Sequence, residues 1–233
     1  MVLLAGVITL LLAYLAGSIP FGVIFVRIIS GKDIRTVESG RTGGTNAFRA
    51  AGVWAGIFTA IMDTAKGFAT VYLARFIVPG NLWIEILAPL AAIIGHNYSI
   101  FLMERTEKGY RLRGGAGGAP CVGGSIGFWP PSLLIILPIA ILIIYFVGYA
   151  SLVTMSMGLI TMIIFAVRAY LGLSPWQYAL YGLLAEVILL WSLRPNIKRL
   201  LTGNERVVGY RARHHKNKTA QSRSVSSSST SSS

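Results

Sequence analysis

Charge is scarce in this chain. Of its 233 residues only 12 % are Asp, Glu, Lys or Arg, against about 25 % in an average soluble domain. So little charge cannot solvate the surface of a water-soluble fold, and it points to a bilayer as the solvent. Acid is scarcer still: 8 Asp and Glu face 21 Lys and Arg, for a net charge of +13. That balance suits either a nucleic-acid binder or a membrane protein with basic loops, and the placement of the charge decides between them. The one cysteine, Cys121, excludes an internal disulfide and reads as a small core residue. No Cys/His spacing suggests a metal, and no Gly-x-x-x-x-Gly-Lys-Ser/Thr run suggests a Walker-type nucleotide site, so no metal or cofactor is expected. Strand alternation of the outer-membrane barrel kind is missing too.

What the chain has instead is apolar sequence, 54 % of it hydrophobic. The runs reach about 18 residues or more, enough to cross ~30 Å of hydrocarbon. Spans are expected over residues 2–29, 53–78, 82–103, 131–146, 150–167 and 175–193. Met1 opens directly on the first of them without a basic leader, which reads as a retained helix. That span contains Gly17-Ser-Ile-Pro20-Phe-Gly22, where the proline predicts a kink and a freed carbonyl that must find a new partner. The second span carries Asp63 and Lys66, three apart on one face, either a self-neutralising pair or the lining of a polar cavity. Glu186 in the last span is expected to face the bundle and be paired. His96 is expected to cap its span or orient the next loop, and the Trp and Tyr near span ends read as interfacial anchors.

The basic residues give the topology. All of the 21 Lys and Arg except Lys66, Arg75 and Arg168 fall in three zones: the first loop with its flank, the 104–113 loop, and everything after Leu193. By the positive-inside rule these zones are cytoplasmic. The rule is met only if an even number of crossings separates Arg113 from Arg194. The glycine-rich stretch Gly114–Trp129 must then supply a short additional crossing. The expectation is therefore an all-α, polytopic integral membrane helical bundle of about seven transmembrane helices, one short and glycine-rich, with the N-terminus outside and the C-terminus cytoplasmic. Residues 1–205 form the membrane domain. Residues 206–233, rich in Arg, His, Lys and Ser, read as a basic, serine-rich disordered cytoplasmic tail outside any site. This placement of charge removes nucleic acid as a partner and leaves membrane lipids.

One stretch looks built for chemistry. Glu38-Ser-Gly-Arg-Thr-Gly-Gly-Thr-Asn-Ala-Phe-Arg49 holds glycines at 40, 43 and 44, hydroxyls at 39, 42 and 45, an amide, and two guanidiniums. Glycines let backbone approach a ligand, successive N–H groups make anion-binding concavities, and arginine matches phosphate oxygens with a planar fork. A phosphate-binding loop at a membrane surface is one reading; a solvated hydrophilic loop is the other. The segments Arg113–Gly118 and Arg194–Arg199 lie on the same face in this topology. Together the three offer a site for a phosphorylated ligand, open on one side to the membrane. No nucleophile with an adjacent base is evident.

Several of these motifs carry a family resemblance. Gly17-Ser-Ile-Pro-Phe-Gly22, Asp33-Ile-Arg35 and Ser39-Gly-x-x-Gly43-x-Thr-Asn46-x-x-Arg49 resemble the first signature of the bacterial PlsY-type acyl-phosphate:glycerol-3-phosphate acyltransferases. Asp63-x-x-Lys66-Gly67, Gly95-His96 and Asn196-Ile-x-Arg199-Leu-Leu-x-Gly203 also fit, so the resemblance spans about Gly17 to Glu205. It implies a bacterial, multi-pass inner (plasma) membrane enzyme of phospholipid biosynthesis with a cytoplasmic-face active site. The implied reaction moves a fatty acyl group from acyl phosphate to sn-glycerol 3-phosphate, giving lysophosphatidate and phosphate. On this resemblance Ser39 and Arg49 are the expected catalytic residues. Gly43, Gly44, Thr45, Asn46, Lys66, Arg113, Gly114, Gly115 and Asn196 are expected to bind substrate, with no cofactor and no assigned protein partner.

The chain also departs from the family pattern. The second signature reads Lys-Gly-Gly-Lys-Gly in the family and Arg113-Gly-Gly-Ala116-Gly117 here. The histidine usual three residues before the asparagine is Leu193, and an expected carboxylate is Pro195. The loop after His96 is longer and supplies Lys108 and Arg111, expected to take over the lost charge. The alternatives are a changed acceptor, or a non-catalytic relative binding an anionic lipid or phosphometabolite. A transporter is a third reading, though no internal repeat supports it.

Overall fold

A computed structural model describes residues 1–107 and 109–208. Its helices are α1 (Val2–Ser18), α2 (Phe21–Ser30), α3 (Gly44–Ile77), α4 (Leu82–Asn97), α5 (Gly118–Phe128), α6 (Ser132–Phe146), α7 (Ala150–Tyr170) and α8 (Gln177–Leu201). A short 3-10 turn, Ile34–Thr36, follows α2, and an antiparallel hairpin, β1 (Ser99–Thr106) and β2 (Gly109–Arg113), follows α4. The all-α expectation is thereby corrected: the 104–113 stretch is no open loop, and the span expected to reach 103 ends as a helix at Asn97 and continues as a strand.

Local chemistry sets the breaks. Pro20 bars Ile19 from helical geometry (φ −59, ψ 119), so the first apolar run is two helices and not one kinked span. The carbonyls freed there are taken up by side chains: Lys66 Nζ donates to Ile19 O at 3.1 Å and Ser99 Oγ to Ser18 O at 2.6 Å. Gly31, left-handed at φ 68, stops α2. A second break sits inside α3 at Ala51–Gly52, with Gly52 at φ 86. The helical piece before it, residues 44–51, was expected to be loop. Asn81 caps α4 by accepting from the N–H groups of Trp83 and Ile84. Helix α8 runs straight through Pro195 to Leu201, so the polar segment Arg194–Arg199 is helical where a loop was expected.

Small residues bring the helices together in reciprocal pairs. Gly67 of α3 abuts the Pro120 backbone of α5 while Gly123 of α5 abuts the Thr64 backbone of α3. Helices α7 and α8 repeat the device with Gly158 against Glu186 and Gly182 against Met162. No driving force from water operates between helices in lipid, so such close backbone contact is what holds them. Around these seams lies a core of Val71, Ile86, Leu90, Ile93 and Leu189 with an aromatic cluster in which Phe128 stacks on Tyr178 at 4.3 Å. Large apolar side chains such as Leu3, Leu134, Ile141 and Val187 are exposed, as a bilayer-facing surface requires. The stretches 2–30 and 150–170 are long and apolar enough to cross a membrane. Cys121 is fully buried in α5, as its apolar setting suggested. Glu186 accepts from the Leu159 N–H at 3.1 Å and has no cationic partner among the described residues.

Candidate active site

The loop before α3 is held in place by its own polar side chains. Asp33 caps the 3-10 turn, accepting from Arg35 N at 2.9 Å, and grips the Arg35 guanidinium at 2.7 Å. That hydrogen bond holds the Asp33 carboxyl below the usual carboxylate range, so the brace stays ionised at neutral pH. Asn46 Nδ2 donates to three carbonyls, Ile34 O (3.1 Å), Val37 O (3.0 Å) and Arg41 O (2.8 Å). Glu38, at φ 46, is the non-glycine residue in the left-handed region among the described residues. Strain of this kind persists only where surroundings over-determine it, and it clusters at functional sites.

Arg41 joins the loop to the rest of the face. Its guanidinium donates to Gly115 O at 2.7 Å, Ser192 Oγ at 3.2 Å and Ser192 O at 2.6 Å. Burial, and secondarily Arg199, pulls its pKa down from the ordinary value; an arginine nonetheless keeps its charge. Arg41, Gly115 and Ser192 come from three separate segments, and Thr42 N to Gly114 O at 3.3 Å adds a further tie between the first two.

An inner cavity of about 240 Å³ opens beneath this loop. Helix α3 points its first turn at it with Gly43 as an N-cap that has no side-chain bond. The early N–H groups of that turn are therefore free for an anion, with the helix dipole behind them. Ser39, Thr45 and Arg49 line the same wall. Arg49 has no ion-pair partner among the described residues, and burial lowers its pKa from the ordinary value. The floor is Asp63 and His96, with Lys66 Nζ 2.9 Å and His96 Nδ1 3.5 Å from Asp63 Oδ1. Ala116, Leu193, Asn196, Glu205 and Arg206 complete the walls.

A larger outer basin of about 830 Å³ adjoins it, and Ser39, Arg41 and Asn196 line both. Its guanidiniums are those of Arg35, Arg41, Arg111, Arg113, Arg194 and Arg199. Glu104, on β1, pairs with both Arg35 (3.2 Å) and Arg113 (2.7 Å) and so ties the hairpin to the loop.

Most of the expected site residues meet here. Ser39, Gly43, Gly44, Thr45, Asn46, Arg49 and Asn196 line the inner cavity, and Arg111, Arg113, Gly114 and Gly115 the outer basin. Two of the expected residues are also engaged elsewhere in the fold. The Lys66 ammonium is spent on Asp63 and Ile19 O and lies off the cavity wall. The Gly115 N–H is occupied by His96 O at 2.9 Å, and a Cβ there would strike the His96 ring, so this glycine fits backbone to imidazole. His96 accordingly orients the second loop and does not cap its helix. Lys108 lies outside the described residues, as does all of the expected tail beyond residue 208. Arg206, assigned to that tail by its sequence, lines the inner cavity and pairs with Glu38 at 3.2 Å. Sequence reasoning missed Arg41 and Glu205. Glu205 is buried, 3.1 Å from both Asn196 Nδ2 and Arg199 Nε; a lone acid in so basic a stretch was the available signal.

The family model described as glycerol-3-phosphate acyltransferase matches residues 7–203. Among curated proteins, a glycerol-3-phosphate acyltransferase of Thermus thermophilus is 39 % identical over 208 residues, 89 % of this chain and 98 % of that protein. Glycerol-3-phosphate acyltransferase 2 of Moorella thermoacetica is 34 % identical, with 88 % of this chain and 98 % of the relative covered. Among solved structures, PlsY (YgiH), described as an integral membrane glycerol 3-phosphate acyltransferase, in its glycerol 3-phosphate form, superposes with a TM-score of 0.75. Identity to it is 28 %, with 88 % of this chain and 96 % of that chain covered. The lysophosphatidic acid form gives 0.71 at 27 % identity. With its signature loop, its guanidinium-lined site and a match over nearly the whole membrane portion, this chain belongs to the glycerol-3-phosphate acyltransferase family.

Proposed function

We propose that this membrane protein transfers a fatty acyl group from acyl phosphate to the 1-hydroxyl of sn-glycerol 3-phosphate, releasing lysophosphatidate and inorganic phosphate. The observation that carries this is the α3 N-terminus without a side-chain cap, beside Arg49, which has no ion-pair partner among the described residues, facing an inner cavity that joins a second, guanidinium-lined basin at Ser39. Two anionic substrates can meet there without sharing one pocket.

Acyl phosphate is a mixed anhydride with a good leaving group, so the protein has to position and stabilise and need not form a covalent intermediate. In this reading the donor's phosphate sits on the free N–H groups of Gly43, Gly44 and Thr45, under Arg49. The acceptor hydroxyl attacks the carbonyl carbon next to Ser39, whose Oγ polarises the acyl phosphate. The C–O bond to phosphate breaks as the tetrahedral state collapses, the acceptor hydroxyl's proton passes to the departing phosphate, which leaves as hydrogen phosphate, and its charge develops where the helix dipole and Arg49 already point. Asn196 orients substrate from α8. No cofactor enters the scheme. We read the chain as seven crossings with the α3 N-terminus and the α8 C-terminus facing the cytoplasm, which gives a site on the cytoplasmic face.

The test is direct. Purified protein in vesicles, given palmitoyl phosphate and labelled glycerol 3-phosphate, should form lysophosphatidate, and Arg49→Ala or Ser39→Ala should reduce turnover by about 100-fold or more, the size of losing one transition-state donor. Wild-type protein that binds either substrate yet forms no product would instead mark a binding relative.

A further inference from the structure

The cations around Ser39 are unequally free. Arg41 is spent on carbonyls, Arg35 and Arg113 on Glu104, Arg199 on Glu205, and Arg206 on Glu38. Arg49 remains for the inner cavity. In the outer basin, Arg111 and Arg194 line the wall with no carboxylate partner among the described residues. Arg111 stands opposite Glu104 in the hairpin ladder, but both Glu104 oxygens are already engaged by Arg35 and Arg113. The Arg194 guanidinium lies 4.3 Å over the Trp191 ring, which fixes its plane while leaving its N–H edge open. On the inner wall, position 116 is an alanine and offers no charge to a second anion. Two dianions confined to one cavity of about 240 Å³ would repel strongly in a medium less polar than water.

We propose that Arg111 and Arg194 form the acceptor subsite, holding the phosphomonoester of the acceptor in the outer basin while its hydroxyl reaches the inner cavity past Ser39 and Asn196. The proposal rests on the acyl-transfer reading and adds to it which residues select the acceptor. Arg111 comes from the hairpin and Arg194 from α8, and both line one basin, so the subsite needs both elements in place. A planar fork on each side suits a phosphate monoester and gives little hold on a neutral polyol.

Kinetics on Arg111→Gln, Arg194→Gln and the double variant in phosphatidylethanolamine/phosphatidylglycerol vesicles tests it. Both side chains are exposed, and thermal unfolding will show that the variants stay folded. Each single change should raise KM for glycerol 3-phosphate about tenfold, the loss of one charge-assisted contact, and the double change more. KM for palmitoyl phosphate and kcat should stay within about twofold. An unchanged KM for glycerol 3-phosphate, or equal rises in both KM values, would overturn the subsite. If wild-type protein shows no turnover at all, the acyl-transfer reading fails by itself. Equilibrium binding of labelled glycerol 3-phosphate then decides the subsite: tighter binding to wild type than to the double variant supports it, equal binding ends it.

Discussion

Asn46 shows how a residue can sit in a site and still serve mainly to build it. One amide nitrogen ties three carbonyls of the preceding loop, so the loop's shape depends on a donor that no other local side chain replaces. Asn46→Asp keeps the size and removes the donors, leaving three carbonyls facing a carboxylate. The expected cost is on the order of 1–3 kcal/mol, read as a lower Tm, together with a raised KM for acyl phosphate; a change in neither would show that the loop is held by Arg41 and Asp33 alone. Lys66 makes the complementary point. Its spacing from Asp63 was legible from residue order, but the identity of its other partner, a carbonyl freed by Pro20 from a helix 47 residues away, was not. Ala116 and Leu193 stood out in the sequence as departures, and both prove to line the inner cavity, where they make its wall less polar than the signature would.

Helices were legible wherever apolar residues ran unbroken, because a bilayer demands continuous apolar length and little else competes. Boundaries set by polar contacts were not. The hairpin reads as loop in the sequence because strand pairing depends on partners 3 to 14 residues apart, and a short stretch containing Glu, Lys and three Arg shows no alternation of apolar residues. Helix α8 passes through Pro195, which propensity alone would not predict, and beyond it Asn196 and Arg199 are held by Glu205. The glycine-rich α5 was recognised as a helix through charge parity; the reason for its glycines became visible only in the seam with α3. Gly67→Val should therefore push α3 off the Pro120 backbone and cost about 1–3 kcal/mol or more as overpacking. Thermal unfolding in detergent checks this, and an unchanged Tm would mean that the seam is looser than the contact implies.

At the scale of the whole molecule, Arg35, Arg41, Arg49, Arg111, Arg113, Arg194, Arg199 and Arg206, all from the three basic zones of the sequence, line the two adjoining cavities. The proposed orientation sets this face in the cytoplasm. In a Cys121→Ala background, an impermeant maleimide added outside intact cells should label Pro79→Cys in the turn between α3 and α4 and spare Lys32→Cys. Labelling of both, or of Lys32→Cys alone, would reverse the assignment. The residues of the Glu38–Arg49 loop were almost all legible in the sequence. The sequence could not show that Arg206 folds back over the cavity, since that depends on the Glu38 pair and on a Val208 N–H to Gly148 O bond at 2.7 Å.

The central claim is that the donor's phosphate rests on the bare N-terminus of α3 under Arg49. The structure of the protein bound to a non-hydrolysable acyl phosphonate tests it most directly. The phosphonate oxygens should lie within hydrogen-bond reach of the Gly43, Gly44 and Thr45 N–H groups and of the Arg49 guanidinium, leaving the outer basin open for the acceptor. A phosphonate seated in the outer basin on Arg111 and Arg194, with the α3 N-terminus vacant, would contradict the account.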